Sequence, residues 1–366
     1  MIAALLAQDW VRPDLDWHAL APELVLVVGI NVVLLVDLWI DETKKWMMAT
    51  LAGFVMLAAF IPVVTLAVIG DDVRSMFFDR YVVDNYALVL KALFLLVGYV
   101  VVLMSQTELE EGGYYQGEFY LMLLVSVLGM VMMASARDLV SIFVALELLS
   151  IPAYMMAAWN KRDTKSNEAG VKYYLLGVFA SGVLLYGMSY LYGTTGSTKL
   201  TEIGEAFASA DAGAGIIAMQ VIAVAFIIVG FGFKVSAVPF HTWAPDTYEG
   251  APTPVTAFLS VASKAAGFVG LVSMLFIGLF AADGVYEPFI FVLAALTMTI
   301  GNVLALRQTN IVRLLAYSSV SQGGFILMPL AVIASGDAAE SALKAVVIYL
   351  CFPTADDVYG PMIWVL

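Results

Sequence analysis

The sequence predicts an all-α fold, a polytopic membrane helix bundle with about ten to eleven transmembrane helices. Two observations predict it. Hydrophobic residues make up 62% of the 366 and charged residues only 13%, and the mean hydropathy of +0.93 is far above that of a water-soluble domain. Apolar segments of about 20 residues, the length that crosses a bilayer, recur between short charged or Gly/Pro-marked breaks. We therefore expect the lipid bilayer to surround most of the chain.

Ten apolar segments are long enough to be membrane spans. In chain order they are 22–40, 46–69, 82–105, 117–136, 138–159, 169–192, 214–240, 253–280, 286–306 and 311–334. An eleventh begins near Glu340 and stays apolar only through Leu350. The tail, 351–366, contains residues such as Pro353 and Asp356 that would break a helix or place a charge in hydrocarbon, so we do not expect it to span the membrane.

The distribution of loop charges predicts the orientation. Seven Lys and Arg residues fall in one set of alternate connections and five in the other. This weak bias favours an N-terminus outside the cell and the 159–169 connection in the cytoplasm, because positive loops stay inside.

Composition also excludes several kinds of site and partner. The net charge of -13 argues against a nucleic-acid partner, because little positive charge is available to neutralise phosphates. Cys351 is the one cysteine, and the two histidines, His18 and His241, lie far apart in the sequence without accompanying ligands. We therefore expect neither a metal site nor a bound redox cofactor in this chain.

Three charged residues fall deep inside predicted spans. Glu147 lies nine residues past Asp138, about 13 Å into the hydrocarbon core, and Lys264 lies ten residues past Pro254, about 15 Å deep. Lys234 has only apolar, Gly or Ser neighbours. A charge at such depth costs about 2.5 to 3.5 kcal/mol even on a mild insertion scale. One alternative is a salt bridge that only locks helices together, but one acid facing two or three bases leaves charge unmatched. We interpret the three as proton-translocating residues, since buried lysines can exchange protons near neutral pH.

Three further residues are accessory candidates. Lys172 stands about four residues into its span, from which its side chain could also reach the interface. Pro239 follows Lys234 by five residues and lacks the N–H of a regular helix, which predicts a hinge beside the lysine. His241, seven residues after Lys234, would lie on nearly the same helix face and suits a proton relay. An interfacial position beside Trp243 is the alternative for this histidine.

A polar run, 317–322, reads Tyr-Ser-Ser-Val-Ser-Gln, and Arg307 and Arg313 lie close to it in the sequence. These groups either hold water in a second pathway or serve helix packing, and we favour packing.

Four stretches carry a resemblance to a known family. The longest, 237–260, contains His-Thr-Trp-Ala-Pro-Asp-Thr-Tyr-Glu-Gly-Ala-Pro-Thr-Pro and leads on to Lys264; the others are 147–152, 172–177 and 307–323. Together they resemble the subunit N family of bacterial NADH-quinone oxidoreductase, respiratory complex I, within the wider group of antiporter-like subunits. Other members of that group usually have Ala-His after the Pro-Asp of this loop and a histidine in the next helix. This chain has Thr247 and Tyr248 in the loop and no histidine at 260–263 in the next helix, which favours subunit N.

The resemblance implies roles for the buried charges. Glu147 matches the acid of the fifth transmembrane helix, Lys234 the lysine of a broken seventh helix and Lys264 the lysine of the eighth. Together they would conduct protons through one half-channel. Lys172 and His241 match accessory polar positions.

The resemblance also implies the domain organisation. The family has two inverted five-helix repeats. In this chain a transmembrane antiporter-like domain, 1–350, would contain a complete first repeat at 117–280 and an incomplete second repeat at 286–350, followed by an aberrant tail at 351–366. We therefore expect that the chain is C-terminally truncated or frameshifted.

The implied function is that of a membrane subunit of a proton-pumping oxidoreductase in the bacterial inner membrane. Its partners would be the other complex I membrane subunits, and FMN, iron-sulfur clusters and quinone would be bound by partner subunits. Two alternatives remain open. The first is a subunit of a multi-subunit sodium/proton antiporter that works without electron transfer. The second is an inactive, truncated assembly subunit.

Overall fold

A computed structural model describes residues 13–41, 44–69, 73–112, 117–209 and 214–331, without the side chains of 214–217. In chain order its helices are α1 (Ala21–Trp39), α2 (Met47–Ile69), α3 (Asn85–Gly112), α4 (Gly117–Ser135), α5 (Leu139–Ala157), α6 (Thr164–Thr195), α7 (Leu200–Ser209), α8 (Ala214–Lys234), α9 (Trp243–Gly250), α10 (Thr253–Gly278), α11 (Asp283–Ala305) and α12 (Ile311–Leu330). A short 3₁₀ turn, Phe280–Ala282, precedes α11.

The structure confirms the predicted polytopic membrane helix bundle. Within the described ranges, nine helices are long and apolar enough to cross a membrane: α1 to α6, α10, α11 with its preceding turn, and α12. Helix α8 corresponds to a tenth predicted span, although its apolar part, Ala218–Lys234, is shorter. The predicted start near Glu340 and the tail 351–366 fall outside the described residues.

The predicted span 214–240 was wrong at its end, because α8 stops at Lys234. The backbone then leaves the helical path. Ser236 has a left-handed φ of 60°, and the N–H of Ala237 donates to the carbonyl of Gly232, 2.8 Å away, across five residues instead of four. The peptide bond between Val238 and Pro239 is cis. The break therefore begins at Val235, directly after the lysine and four residues before the proline that was expected to cause it.

The break remains bonded to its neighbours on both sides. The N–H of Val238 donates to the hydroxyl of Thr297 on α11 at 2.9 Å, and the indole N–H of Trp243 on α9 donates to the carbonyl of Phe233 at 3.0 Å. Irregular backbone at membrane depth is tolerated only where protein or water satisfies its polar groups. These bonds supply such partners and attach α9 to the end of α8.

A small β-hairpin is an addition to the predicted all-helical fold. Strand β1 (Arg74–Met76) pairs antiparallel with β2 (Tyr81–Val83), and the turn residues 77–79 all have positive φ. Hydropathy had assigned residues before position 82 to a loop and those after it to a span. Strand β2 instead buries Tyr81 and Val83 against the bundle, and α3 begins only at Asn85.

Close packing of α4 on α5 positions the polar residues of α5. A side chain at Gly129 of α4 would meet the backbone N of Leu149 at 2.6 Å, so only glycine permits this approach. The hydroxyl of Ser126 on α4 donates to the carbonyl of Leu149 at 2.7 Å. Helix α5 is thus held against α4 at the level of Glu147 and Ser150, which belong to the site.

Candidate functional site

Lys234, the last residue of α8, is buried with a relative exposure of 3%. Its Nζ donates to the hydroxyl of Ser150 at 2.8 Å and more weakly to the phenol of Tyr173 at 3.5 Å. Its stem crosses Gly267 of α10, where a Cβ would stand 2.8 Å from the lysine Cγ. The ammonium therefore has neutral hydroxyl partners contributed by α5 and α6.

Glu147 lies one turn before Ser150 on α5, on the same side of the helix. Its carboxyl group is near enough to Lys234 for an electrostatic interaction. Among the described residues, however, no ion pair within 4.0 Å joins the two, and Oε1 of Glu147 is buried without a hydrogen-bond partner. The alternative of a locking salt bridge between them is therefore not supported. Glu147 interacts with the lysine from a distance.

Lys264 occupies a comparable position on α10, with a relative exposure of 5%. It follows directly on a π-helical turn, Leu259–Ser263, a feature often found at functional sites. Its Nζ donates to the carbonyl oxygen of Ser319 at 2.8 Å and to the hydroxyl of the same residue at 2.7 Å. Ser319 belongs to α12 and to the polar run that we had assigned to helix packing. At this residue the run contacts a buried lysine.

The two lysines are neighbours through α10. Gly267, which the stem of Lys234 crosses, lies three residues after Lys264, about one helical turn away. The structure thus brings Glu147, Lys234 and Lys264 into one part of the bundle, in that order across α5, α8 and α10.

His241 lies in the turn between α8 and α9 with a relative exposure of 8%, which argues against the interfacial alternative. Its ring faces that of Tyr317 on α12, with centroids 6.2 Å apart, and Nδ1 has no hydrogen-bond partner. The histidine is therefore close to the α12 wall of the site.

Lys172 belongs to a separate network of charged residues. Its side chain is 42% exposed and pairs with Glu168 at 2.6 Å and with Asp246 of α9 at 2.7 Å. Arg313 of α12 pairs with Asp246 at 2.8 Å and with Glu249 at 3.0 Å. We call these residues, together with Lys165, the α9 network. They surround a polar cavity of about 120 Å³ and tie α9 to both α6 and α12.

Two of the three acids of the α9 network, Asp246 and Glu249, are held in their charged form. Burial raises the pKa of Asp246, but hydrogen bonds from Lys172 and Arg313 outweigh it, so that the pKa lies below its usual value. Hydrogen bonds from Lys165 and then Arg313 lower the pKa of Glu249. Lys172 and Arg313 stood out in the sequence, whereas Asp246 and Glu249 were not predicted as site residues. Their position in the longest resembling stretch was the available signal.

A fully buried lysine, Lys91 of α3, was not among the residues predicted from the sequence; its relative exposure is 0%. Its Nζ lies 2.7 Å from Oε1 of Glu23 on α1, and the phenol of Tyr81 donates to the same oxygen at 2.5 Å. The Tyr81 ring centroid is 5.3 Å from the ammonium. Its depth in the membrane could have identified it, since Lys91 lies nine residues inside the predicted span 82–105.

In the portion of the chain that the structure covers, no group of three or more His, Cys, Asp or Glu side chains is arranged to hold a metal ion. The expected absence of cofactors from this chain stays a prediction.

Known proteins share both the sequence and the fold. Residues 136–355 match the family model described as NADH:quinone oxidoreductase/Mrp antiporter, TM. The chain is 41% identical over 314 residues to NADH-quinone oxidoreductase subunit N of Trichlorobacter lovleyi, covering 86% of this chain and 63% of that protein. The chain thus spans less than two thirds of the length of this relative.

Solved structures agree. A chain of respiratory complex I from Thermus thermophilus with bound aureothin is 29% identical, with a TM-score of 0.70 over 91% of this chain and 70% of that one. A chain of the Mrp complex from Dietzia is 18% identical, with a TM-score of 0.76 over 96% of this chain and 63% of the other, and shares the fold. The protein therefore belongs to the transmembrane-subunit family of NADH:quinone oxidoreductases and Mrp antiporters, among the relatives named subunit N.

Proposed function

We propose that this chain is a proton-translocating membrane subunit of a bacterial NADH-quinone oxidoreductase. The observation that carries the proposal is that Lys234 and Lys264 are buried with neutral hydroxyl and carbonyl partners. A lysine that has only such partners gains less from its charge than one paired with a carboxylate, and is therefore suited to release and regain a proton.

In the proposed mechanism a proton passes from the Nζ of Lys234 towards Lys264, and Glu147 stabilises the charged form of Lys234. A movement of Glu147 away from Lys234 removes this stabilisation, so that Lys234 releases its proton to Lys264. Lys172 and His241 act as accessory groups, and the break around Pro239 acts as the hinge. Quinone reduction elsewhere in the assembly supplies the driving force.

The domain assignment and partners form part of the proposal. A first repeat, 117–280, holds the three principal residues, and 286–350 belongs to a second repeat. Partner subunits bind FMN, iron-sulfur clusters and quinone, and the chain itself binds none of them. Other membrane subunits of the complex contact it within the bacterial inner membrane, and its N-terminus lies outside the cell. The names of the subunit N relatives support this placement.

Removal of the Lys234 ammonium tests the function. In membrane vesicles that carry the complete complex, we expect Lys234→Ala to lower the protons pumped per electron about tenfold or more, the scale of a lost acid-base group. The exposed lysine Lys44 provides a matched control, since Lys44→Ala should leave pumping unchanged. An unaltered pumping ratio and rate in the Lys234 variant would refute the proposal.

A second candidate function is that of a subunit of a sodium/proton antiporter without electron transfer. The matching family model is described for both NADH:quinone oxidoreductase and Mrp antiporter, and the chain of the Mrp complex shares the fold. The same vesicles separate the two functions. Proton movement driven by NADH and stopped by a quinone-site inhibitor supports the oxidoreductase. Movement driven by a sodium gradient without NADH supports the antiporter.

A further inference from the structure

Both hydrogen bonds of Lys264 go to a single residue of α12. Its Nζ lies 2.7 Å from the hydroxyl oxygen of Ser319 and 2.8 Å from the carbonyl oxygen of the same residue. Within the described part of the chain no carboxylate lies within 4.0 Å of this ammonium. The ammonium of Lys264 is therefore bound by the side chain and the backbone carbonyl of one neutral residue, Ser319.

The two oxygens differ in what they can offer the lysine. A carbonyl only accepts hydrogen bonds, and so serves an N–H of the ammonium. A hydroxyl both accepts and donates, so it can accept from the ammonium and, after rotation, donate to the lone pair of the neutral amine. A group that moves a proton must be stable in both states, and only the hydroxyl can both accept from the ammonium and donate to the lone pair of the neutral amine.

We propose that Ser319 is a positioning residue for proton exchange at Lys264, its hydroxyl serving the lysine in both its charged and its neutral form. The inference rests on the proposed function and deepens it. It adds α12, outside the first repeat, to the group of helices that control the proton.

The surroundings of Ser319 fit this role. Tyr248 of α9 is buried, and its phenol faces Ser319 without completing a hydrogen bond. The Tyr248 hydroxyl oxygen is therefore available to accept a hydrogen bond from the Ser319 hydroxyl while Oγ accepts from the ammonium.

Other titratable groups on the helices around Lys264 do not pair with it in the described ranges. Lys234 faces α10 from α8, Glu147 lies on α5, Tyr173 reaches Ser263 from α6, and His241 lies before α9. Helix α4 packs on α10 through Met133 at Gly270, and its titratable residues, Glu118 and Tyr120, are near its far end. No group among these forms an ion pair with Lys264 in the described ranges.

A matched pair of substitutions isolates the hydroxyl. Ser319→Thr keeps it, and Ser319→Val has nearly the same shape without it. Because a hydrogen bond to a charged group is about twice as strong as one between neutral groups, its loss destabilises the ammonium more than the amine. In vesicles carrying the complete complex, the pH profile of protons pumped per electron should therefore move to lower pH, by about one unit, in the valine variant and not in the threonine variant.

Three further variants make the test decisive. Ser318→Val, the same change one residue earlier on α12, should leave the profile unaltered. If the valine variant fails to assemble, Ser319→Ala against Ser319→Thr gives the same comparison with less bulk. Equal profiles in the variants with and without the hydroxyl overturn the role of Ser319. If Lys264→Met also pumps normally, the proposed function itself fails; if Lys264→Met stops pumping, the error lies with Ser319 alone.

Discussion

Lys91 and Lys264 are both buried deep in the bundle, yet their partners belong to different chemical classes. Lys91 meets a carboxylate, Glu23, at 2.7 Å, whereas Lys264 meets the hydroxyl and carbonyl of Ser319. A carboxylate at contact distance holds the lysine charged, so such a pair fastens helices. Neutral partners leave the charge state of the lysine open. Depth in the membrane therefore identifies an unusual residue, but the partner indicates whether it can exchange a proton.

The largest effect is expected from removing the carboxylate that pairs with Lys91. Glu23→Gln leaves a fully buried ammonium without its counter-charge, which costs about 3 to 5 kcal/mol in such pairs. We expect little assembled subunit in the membrane, measured by quantitative immunoblot after mild detergent extraction. The double variant Glu23→Gln with Lys91→Met removes both charges and should restore assembly and pumping. Assembly without pumping in the double variant would mean that this pair is functional and the contrast with Lys264 is wrong.

The next effect concerns the charge state of Lys264. Lys264→Arg keeps a positive charge and the ability to donate to Ser319, but arginine is not deprotonated in proteins. We expect the complex to assemble and the protons pumped per electron to fall about tenfold or more. A normal ratio would show that a fixed charge suffices at this position, and would remove the distinction between the two lysines.

The smallest effect involves the α9 network, where ion pairs are partly exposed. Because the pKa values of Asp246 and Glu249 are lowered in the folded protein, their contribution to stability is complete above the unfolded carboxyl range, about pH 4, and is lost as the pH falls through the lowered values. Hydrogen exchange of the α9 amides should therefore be insensitive to protonation of these acids between neutral pH and about pH 5, after correction for intrinsic rates.

The same measurement applies to a variant. Arg313→Gln removes one cation from both acids and should weaken the protection of α9 by about 1 kcal/mol or less, as expected for a partly exposed pair. Lys44→Gln serves as the control for a lost surface charge. If the α9 amides of the Arg313 variant are protected as strongly as those of the unaltered protein, the network does not hold this helix.

Much of the fold was predictable because membrane insertion depends on local composition. Segments such as 253–280 and 311–334 can be recognised from their own residues, without knowledge of what they contact. Lys234 and Lys264 were recognisable for the same reason, since a charge within an apolar segment stands out in the sequence.

The partners of those charges were not predictable in the same way. Ser319 lies 55 positions after Lys264, and Glu23 lies far from Lys91, so only the packing of helices brings them together. The end of α8 at Lys234 depends on hydrogen bonds to Thr297 and Trp243, which hydropathy does not encode. Strand β2 escaped notice because a three-residue strand is too short for a periodic pattern.

The π-helical turn before Lys264 changes how α10 relates to its own sequence. Its hydrogen-bonded ring takes in one more residue than an α-helical turn, and each residue advances a helix by about 100°. A helical wheel that starts at Thr253 and assumes regular spacing therefore loses phase before it reaches the lysine. Deletion of one residue from the turn would aim the ammonium at a different neighbour without altering the composition of the span. The direction in which the Lys264 side chain points is thus set by the extra residue of this turn, and a hydropathy profile does not detect that residue.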